Sequence, residues 1–548
     1  MRIFNGSGII IYVMTTKDMS KGNTLKVLIM FTLPMILSVS FQQLYNLADS
    51  VIAGQMLGKA ALAAVSASYP VTMIFMAVGT GLSVGCSVVT SRIYGEKDYL
   101  KLKTAVSTAF ISFAAIAIIC SVAGWFLAEP VLRLLSTPEE IMKDSTQYLA
   151  VYVLGLVFVF LYNSCSATFQ ALGNSNIPLF FLIFSTIFNI ALDIIFLYYF
   201  KMGVWGLSFA TVIAQGLACV LSVIVLAYIL TNLKTDKDAS QEQNGAEKDC
   251  GSEAQHNEKK SFKSKVSLTA RSLISYFFAR KPYARFKTSV FKEIMIIGVP
   301  SVVQTSTVSI GQLFVQNLVN TYGTDVVAGY GAAIKIQTFC IQLLVTVGNA
   351  LSIFVSQNIG AAKPERIKKG VFAGLGMICV LTVVIVPIIM IFASPLLSVF
   401  TDGDSGAAVI EIGRSMIMLV TPFYLFAMVK FITDAVLKGS GAMLGFISAT
   451  MADLILRVGF AYVFSYLMNS YVGIWWSWPL GWVVGAVVSV LFYFFGHWKK
   501  RAFGVKASAS DFASSTAAAC DSTEINENFV SSNNDGANKS DKENIAEK

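Results

Sequence analysis

The chain has 548 residues, 55% of them hydrophobic and only 13% charged, with a mean hydropathy of +0.66 and a formal net charge of +9. A soluble domain carries about 25% charged residues, so a soluble globular fold is excluded. Only helices and closed barrels satisfy their backbone in lipid, and the long apolar runs lack the period-two alternation of barrel strands, so the expected class is an all-α membrane protein.

Residues 1–24 form a short N-terminal cytoplasmic segment. Its apolar stretch, residues 8–14, is followed by no small-residue cleavage pattern and makes a poor signal peptide. Met14 and Met19 are alternative starts. A run of about 20 apolar residues crosses the hydrocarbon core as a helix. Six such spans are expected at 25–52, 60–91, 104–127, 147–170, 176–200 and 203–231. A cytoplasmic linker, 232–290, is polar at first and then basic with aromatics. Six more spans follow at 291–320, 327–358, 370–398, 414–437, 441–468 and 473–498. The tail, 499–548, is rich in Ser, Asn, Asp, Glu and Lys and is expected to be disordered. The sequence thus predicts an N-lobe at 25–231 and a C-lobe at 291–498.

Cytoplasmic loops are enriched in Lys and Arg. Lys17, Lys21 and Lys26 precede span one, Arg92, Lys97, Lys101 and Lys103 follow span two, Lys363, Arg366, Lys368 and Lys369 follow span eight, and Lys499, Lys500 and Arg501 follow span twelve. All fall on one side, so both termini are expected in the cytoplasm and the chain in the plasma membrane. The positive charge belongs to these loops, and nucleic acid is not expected as a partner.

The halves repeat. Pro34 answers to Pro300, Leu57-Gly58 to Tyr322-Gly323, and Gly95 to Gly360. The turn of residues 171–175 is aligned with residues 437–441, and Gly203-Val204-Trp205 with Gly473-Ile474-Trp475. Each half has six spans, so both enter the membrane in the same sense, related by an axis along its normal with a cavity between them.

Polar groups inside the spans carry the chemistry, because a carboxylate near mid-membrane costs about 2.5–3.5 kcal/mol on insertion scales. In span one, Gln42, Tyr45 or Asn46, and Asp49 fall on one helical face. Asn189 and Asp193 are one turn apart on span five, and Thr211 lies early in span six on the same outer side. Two carboxylates, an amide oxygen and a hydroxyl suit a hard cation such as Na+, with Asp49 and Asp193 as its charged ligands. Alternatively the two carboxylates share a proton, since burial and mutual repulsion disfavour two charges; or the polar groups are interhelical glue. In the C-terminal half, Asp434 lies one turn after Lys430 and one turn before Lys438, and Asp453 lies one turn before Arg457.

The run Gln42, Gln43, Leu44, Tyr45, Asn46, Leu47, Ala48 and Asp49, followed by Gly54 and Leu57-Gly58, resembles the first-helix signature of the multidrug and toxic compound extrusion (MATE) proteins. So does Gln170-Ala171-Leu172-Gly173-Asn174-Ser175 followed by Asn189 and Asp193. The resemblance spans 25–231 and 291–498. It implies twelve helices in two six-helix lobes, and export of organic cations and amphipathic drugs against inward H+ or Na+. It implies an N-lobe cation site at Asp49, Asn189, Asp193 and Thr211, with Pro34 bending the first helix. Gln42, Asn46, Asp434, Asp453 and Arg457 are secondary candidates. In one family branch helix seven carries an acidic residue, where this chain offers Gln304, Gln312 and Gln316. Asp453 and Arg457 take the places of Asn189 and Asp193.

Eight cysteines without a CxxC pair, only two histidines (His256 and His497) and no GxxxxGK[ST] loop argue against a haem, a His-built zinc site and ATP hydrolysis. No cofactor and no enzymatic activity are expected. A monomer in the lipid bilayer is. The remaining alternative is a flippase for lipid-linked saccharides of the same superfamily, which usually carries further helices or a cationic cavity.

Overall fold

The computed structural model describes residues 16–52, 56–135, 137–233, 283–400, 406–500 and 502–503; at 46–51, 59, 60 and 62 it describes the backbone and not the side chain. The linker from 234 to 282 and the tail from 504 onward lie outside the described residues. Residues from His497 onward form a unit separate from the body, Met1–Gly496.

The body is helical, with no strand among the described residues. In chain order its helices are α1 (Thr24–Ile52), α2 (Lys59–Gly95), α3 (Tyr99–Leu134), α4 (Glu139–Leu154), α5 (Leu156–Ala171), α6 (Asn176–Ile194), α7 (Val204–Asn232), α8 (Thr288–Asn320), α9 (Thr324–Gly360), α10 (Pro364–Ile391), α11 (Ala393–Ser398), α12 (Gly406–Val420), α13 (Tyr424–Ser440), α14 (Met443–Met468) and α15 (Val472–Phe495). A π-helical turn, Ile195–Tyr199, extends α6, and a 3-10 turn, Thr421–Phe423, joins α12 to α13. Among the described residues eleven spans pass the length and hydropathy needed to cross a membrane, and the pair α4 and α5, bent by 45°, makes twelve when counted as one span. The fourth span therefore begins earlier than the 147–170 expected and is broken in two. It starts at Glu139 and breaks at Gly155, where a side chain would collide with Val212 of α7.

The duplication is visible in the helix ends. Both α2 and α9 are 37 residues long, begin after a left-handed glycine (Gly58, φ 86°; Gly323, φ 93°) and end in Gly95 and Gly360. Left-handed residues follow at matching positions, Lys97 and Ala362. At the end of α5, Gly173 (φ 76°) donates its N–H to Gln170 O, and the Asn174 N–H reaches Phe169 O. At the end of α13, Gly441 (φ 76°) donates to Lys438 O, and Ala442 to Leu437 O. This is one helix-ending motif used twice. It corrects the alignment of the two turns, because Gly173 pairs with Gly441, not with Gly439. Carried into the next helices, the same register sets Arg457 opposite Asn189 and Ala461 opposite Asp193.

Within the N-lobe, α2 packs on α5, α4 and α5 pack on α7, and α1 packs on α6; within the C-lobe, α9 packs on α12 and α13, and α15 on α13 and α14. The lobes meet chiefly where α2 crosses α8 and α9, with α1 reaching α9 and α10. The contact is concentrated at the end of the molecule that holds the C-termini of α2 and α9. There Gly95 lies against the Gln357 carbonyl and Gly360 against the Arg92 carbonyl, so a Cβ on either glycine would collide with the opposing backbone. Ser356 Oγ donates to Val88 O at 2.5 Å, Gln357 Nε2 to Ala171 O at 3.2 Å, and Arg92 Nη2 to Ser440 O at 3.3 Å. Away from this end, Tyr69 and Ile74 of α2 and Ile310, Leu313 and Phe314 of α8 are exposed.

Candidate functional site

In the N-lobe, α6 and α7 run side by side and carry three of the residues singled out from the sequence. Asn189 and Asp193 occupy successive turns of α6 and are buried, Asp193 completely. Asn189 Nδ2 donates to Thr211 Oγ1 of α7 at 3.3 Å. The Thr211 hydroxyl itself donates to the Leu207 carbonyl one turn earlier, at 3.1 Å. The phenol of Tyr45 in α1 lies 3.3 Å from the same Thr211 oxygen. A hydroxyl has one hydrogen and two lone pairs. With its hydrogen on Leu207, the Thr211 oxygen can accept from both Asn189 and Tyr45.

Asp49 and Asn46 are on α1, one helical turn and one residue beyond Tyr45, but their side chains lie outside those described. Gln42 is exposed. The sequence placed Tyr45 on the same face as Asp49 without giving it a role, and the structure makes it the link between α1 and the α6–α7 pair. The π-helical turn begins two residues after Asp193. Such turns carry an extra residue per cycle and recur at functional positions in α-helices. Beside the site, Leu197, two residues beyond the start of the π-helical turn, and Leu207, whose carbonyl bonds Thr211, pack with Ile52, Leu57, Val65 and Tyr148. Pro34 is inside α1, so the carbonyl of Met30 has no helical donor opposite it.

The C-lobe holds the other candidates, and it pairs them internally. Lys430 Nζ is 2.7 Å from Asp434 Oδ2, with both side chains nearly inaccessible. The other oxygen, Asp434 Oδ1, accepts from Ser489 Oγ at 2.6 Å, and Ser489 Oγ lies 2.7 Å from Thr433 Oγ1. Arg457 Nη2 donates to Asp453 Oδ1 at 2.6 Å, and its guanidinium lies over the rings of Trp478 (4.6 Å) and Trp482 (5.9 Å). Two glycines of α15 make room for these groups. A side chain at Gly481 would meet Asp453 Oδ1, and one at Gly485 would meet both Lys430 and Asp453. Lys438, one turn after Asp434, donates to Asn349 Oδ1 of α9 at 2.9 Å. Ser489 and Asn349 were not legible beforehand, because neutral polar residues in apolar spans carry no signal of their partners.

The two lobes therefore treat the same scaffold differently. In the N-lobe, Asn189, Thr211 and Tyr45 join three helices beside a buried carboxylate. In the C-lobe, Asp434 and Asp453 are each matched by a base four residues away on the same helix. Among the described residues no three His, Cys, Asp or Glu side chains converge.

Comparison with known proteins places this architecture. The MatE family model matches residues 34–195 and 300–463, which is one match in each lobe. The chain is 26% identical over 487 residues to the probable multidrug resistance protein YpnP of Bacillus subtilis (strain 168), covering 89% of this chain and 98% of that protein. It is 25% identical over 495 residues to the probable multidrug resistance protein YoeA of the same organism, covering 89% and 97%. Among solved structures, the outward-facing conformation of a multidrug resistance MATE family transporter of the MOP superfamily superposes with a TM-score of 0.73 at 21% identity, over 89% of this chain and 99% of that one.

Proposed function

This chain belongs to the MatE family of multi-pass membrane transporters, and from that premise we propose that it is a cation-coupled antiporter that exports organic cations or amphipathic drugs by alternating access. The observation that carries the reading is Asp193, a fully buried carboxylate one turn from Asn189, which is itself joined through Thr211 to Tyr45 of α1. A buried charge in a span is costly unless neutralised, and an arriving H+ or Na+ supplies that neutralisation. Asp49 is the second acidic group of the site, and it is assigned on its place in α1.

Thr211 explains how an ion moves a helix. Its oxygen is within hydrogen-bond distance of both Asn189 Nδ2 and the Tyr45 phenol. A cation that takes the Thr211 oxygen as a ligand competes with these two contacts. Displacing Tyr45 frees the outer half of α1, and Pro34 supplies the place at which that half bends. Substrate bound between the lobes is then released outward, the lobes rock, and the ion leaves on the other side.

The sealed end of the molecule carries Arg92, Lys97, Lys363 and Arg366, so the positive-inside rule assigns it to the cytoplasm. Both termini are then cytoplasmic, the membrane is the plasma membrane, and the state described is outward-facing. The saccharide-flippase alternative calls for free basic groups in the cavity, whereas Lys430 and Arg457 are engaged with Asp434 and Asp453.

The test is efflux of a fluorescent organic cation in proteoliposomes under separately imposed Na+ and pH gradients. The wild-type chain should respond to one of them. Asp49→Asn and Asp193→Asn should each reduce gradient-driven efflux by about tenfold or more. Efflux with unchanged gradient dependence in both variants would refute the site.

A further inference from the structure

The segment before α1, residues 17–22, is a strap across the sealed end. Met19 in it is completely buried. Its contacts with the C-lobe come from the start of α10 and the end of α9. Arg366 donates from Nε to Met19 O (3.1 Å), from Nη2 to Lys21 O (2.7 Å) and from Nη1 to Gly22 O (2.7 Å). Lys363 Nζ donates to Ser20 O at 2.8 Å. Four consecutive carbonyls are thus held by two basic side chains of one helix terminus. The Met19 N–H completes the set by donating to Gln357 Oε1 at 2.6 Å, and Gln357 in turn donates to Ala171 O of the N-lobe.

The other face of the strap is on the N-lobe. Asp18 pairs with Lys97 at 2.7 Å, and the Lys17 carbonyl rests on Gly173, where any side chain would collide with it. The chain then passes directly into α1, which packs on α6. The strap is therefore bonded to both lobes at the end where their helices are already in contact.

We propose that residues 17–22 are a clasp for the inner gate: while the carbonyls of Met19, Ser20, Lys21 and Gly22 sit on Lys363 and Arg366, the lobes are held together at that end, and opening the clasp is an obligatory step towards the inward-open state. This rests on the alternating-access reading above. Three features separate a clasp from a passive tether. The bonds run between the two bodies that must part. They are charge-assisted, which makes them about twice as strong as neutral ones. They are backbone carbonyls, so their geometry is set by the path of the chain into α1, the helix that carries Pro34 and Asp49.

The ionic half of the clasp is built to stay charged. Burial works to raise the Asp18 carboxyl, but hydrogen bonds from Lys97 and Ser20 outweigh it and hold the group below its ordinary 3.8. Burial works to lower the Lys97 ammonium, and Asp18 outweighs it, holding the group above its ordinary 10.5, with Tyr94 and Tyr99 also facing it. The contribution of Asp18 is lost only as pH falls through its lowered pKa, and that of Lys97 only as pH rises through its raised one. The clasp therefore holds throughout the neutral range, and its release is left to the movement of α1.

The experiment measures the inner gate directly. Spin labels at Leu100→Cys in the N-lobe and Lys368→Cys in the C-lobe report the distance across the sealed end by pulsed electron resonance in liposomes, with each single-label chain and the chain labelled only at its native cysteines, such as the part-exposed Cys120 and Cys379, as background. In the otherwise unchanged chain the short distance should dominate. Arg366→Ala, which removes three of the bonds, should reduce that population to below about half. Lys363→Ala, which removes one bond and leaves the fold least disturbed, should shift it in the same direction by less. Distance distributions that superimpose on the unsubstituted chain in both variants would overturn the clasp, whatever the efflux. Variants that shift the distances in a protein with no ion-driven efflux would instead overturn the transport reading and leave the clasp standing.

Discussion

The buried ion pairs of the C-lobe show how much depends on a single partner. Lys430 and Asp434 are almost inaccessible, and Ser489 and Thr433 complete their hydrogen bonding. Removing one charge from such a pair leaves the other without compensation and costs about 3–5 kcal/mol, whereas replacing both by apolar groups is often neutral. Asp434→Asn should therefore lower the thermal unfolding midpoint in detergent sharply. Lys430→Met combined with Asp434→Leu should recover most of the loss. If Asp434→Asn melts with the unsubstituted chain, the pair contributes nothing to the lobe. The i, i+4 spacing made this pair and the Asp453–Arg457 pair legible in the sequence. Their closure by Gly481 and Gly485 was not, because a glycine announces a close approach without saying what approaches. Tyr45 was missed as a site member for a related reason: a tyrosine in an apolar helix reads as packing until a partner such as Thr211 is found beside it.

At the scale of elements, the spans were readable because apolar runs bounded by basic loops leave few alternatives. What the sequence did not yield was the shape of individual spans. The fourth bends at Gly155 because α7 approaches there, and that approach is set by tertiary packing. Repeat register failed by two residues at the turn after α5. Leu437-Lys438-Gly439 looks like Ala171-Leu172-Gly173 by residue type, but the left-handed backbone falls on Gly441. Pro34 carries the element-scale prediction. A proline inside a helix forfeits one hydrogen bond and costs about 3 kcal/mol in a soluble helix. Pro34→Ala restores the donor to Met30 O and stiffens α1. Its melting temperature should hold or rise while gradient-driven efflux falls, by about fivefold or more if bending limits the cycle. Equal efflux at equal or higher stability would remove Pro34 from the mechanism.

The whole molecule is two copies of one six-span unit whose interiors have diverged. The register of the helix-ending motif sets Ala461 opposite Asp193, so the C-lobe has a methyl group where the N-lobe has an acid. Its buried acids Asp434 and Asp453 are each matched by a base of their own. This has a thermodynamic consequence. If coupling ions bind only at Asp49 and Asp193, no more than two monovalent ions enter per cycle. Each charge moved across 100 mV releases about 2.3 kcal/mol, or about a 50-fold concentration ratio. Exporting a monovalent cation against that potential consumes the work of one ion. With two ions entering and one cation leaving, the static ratio supported by membrane potential alone should not exceed about 50-fold per 100 mV. Measured in liposomes held at a series of potassium diffusion potentials, a steeper slope would demand a third ion, and with it a carboxylate that Lys430 or Arg457 has let go.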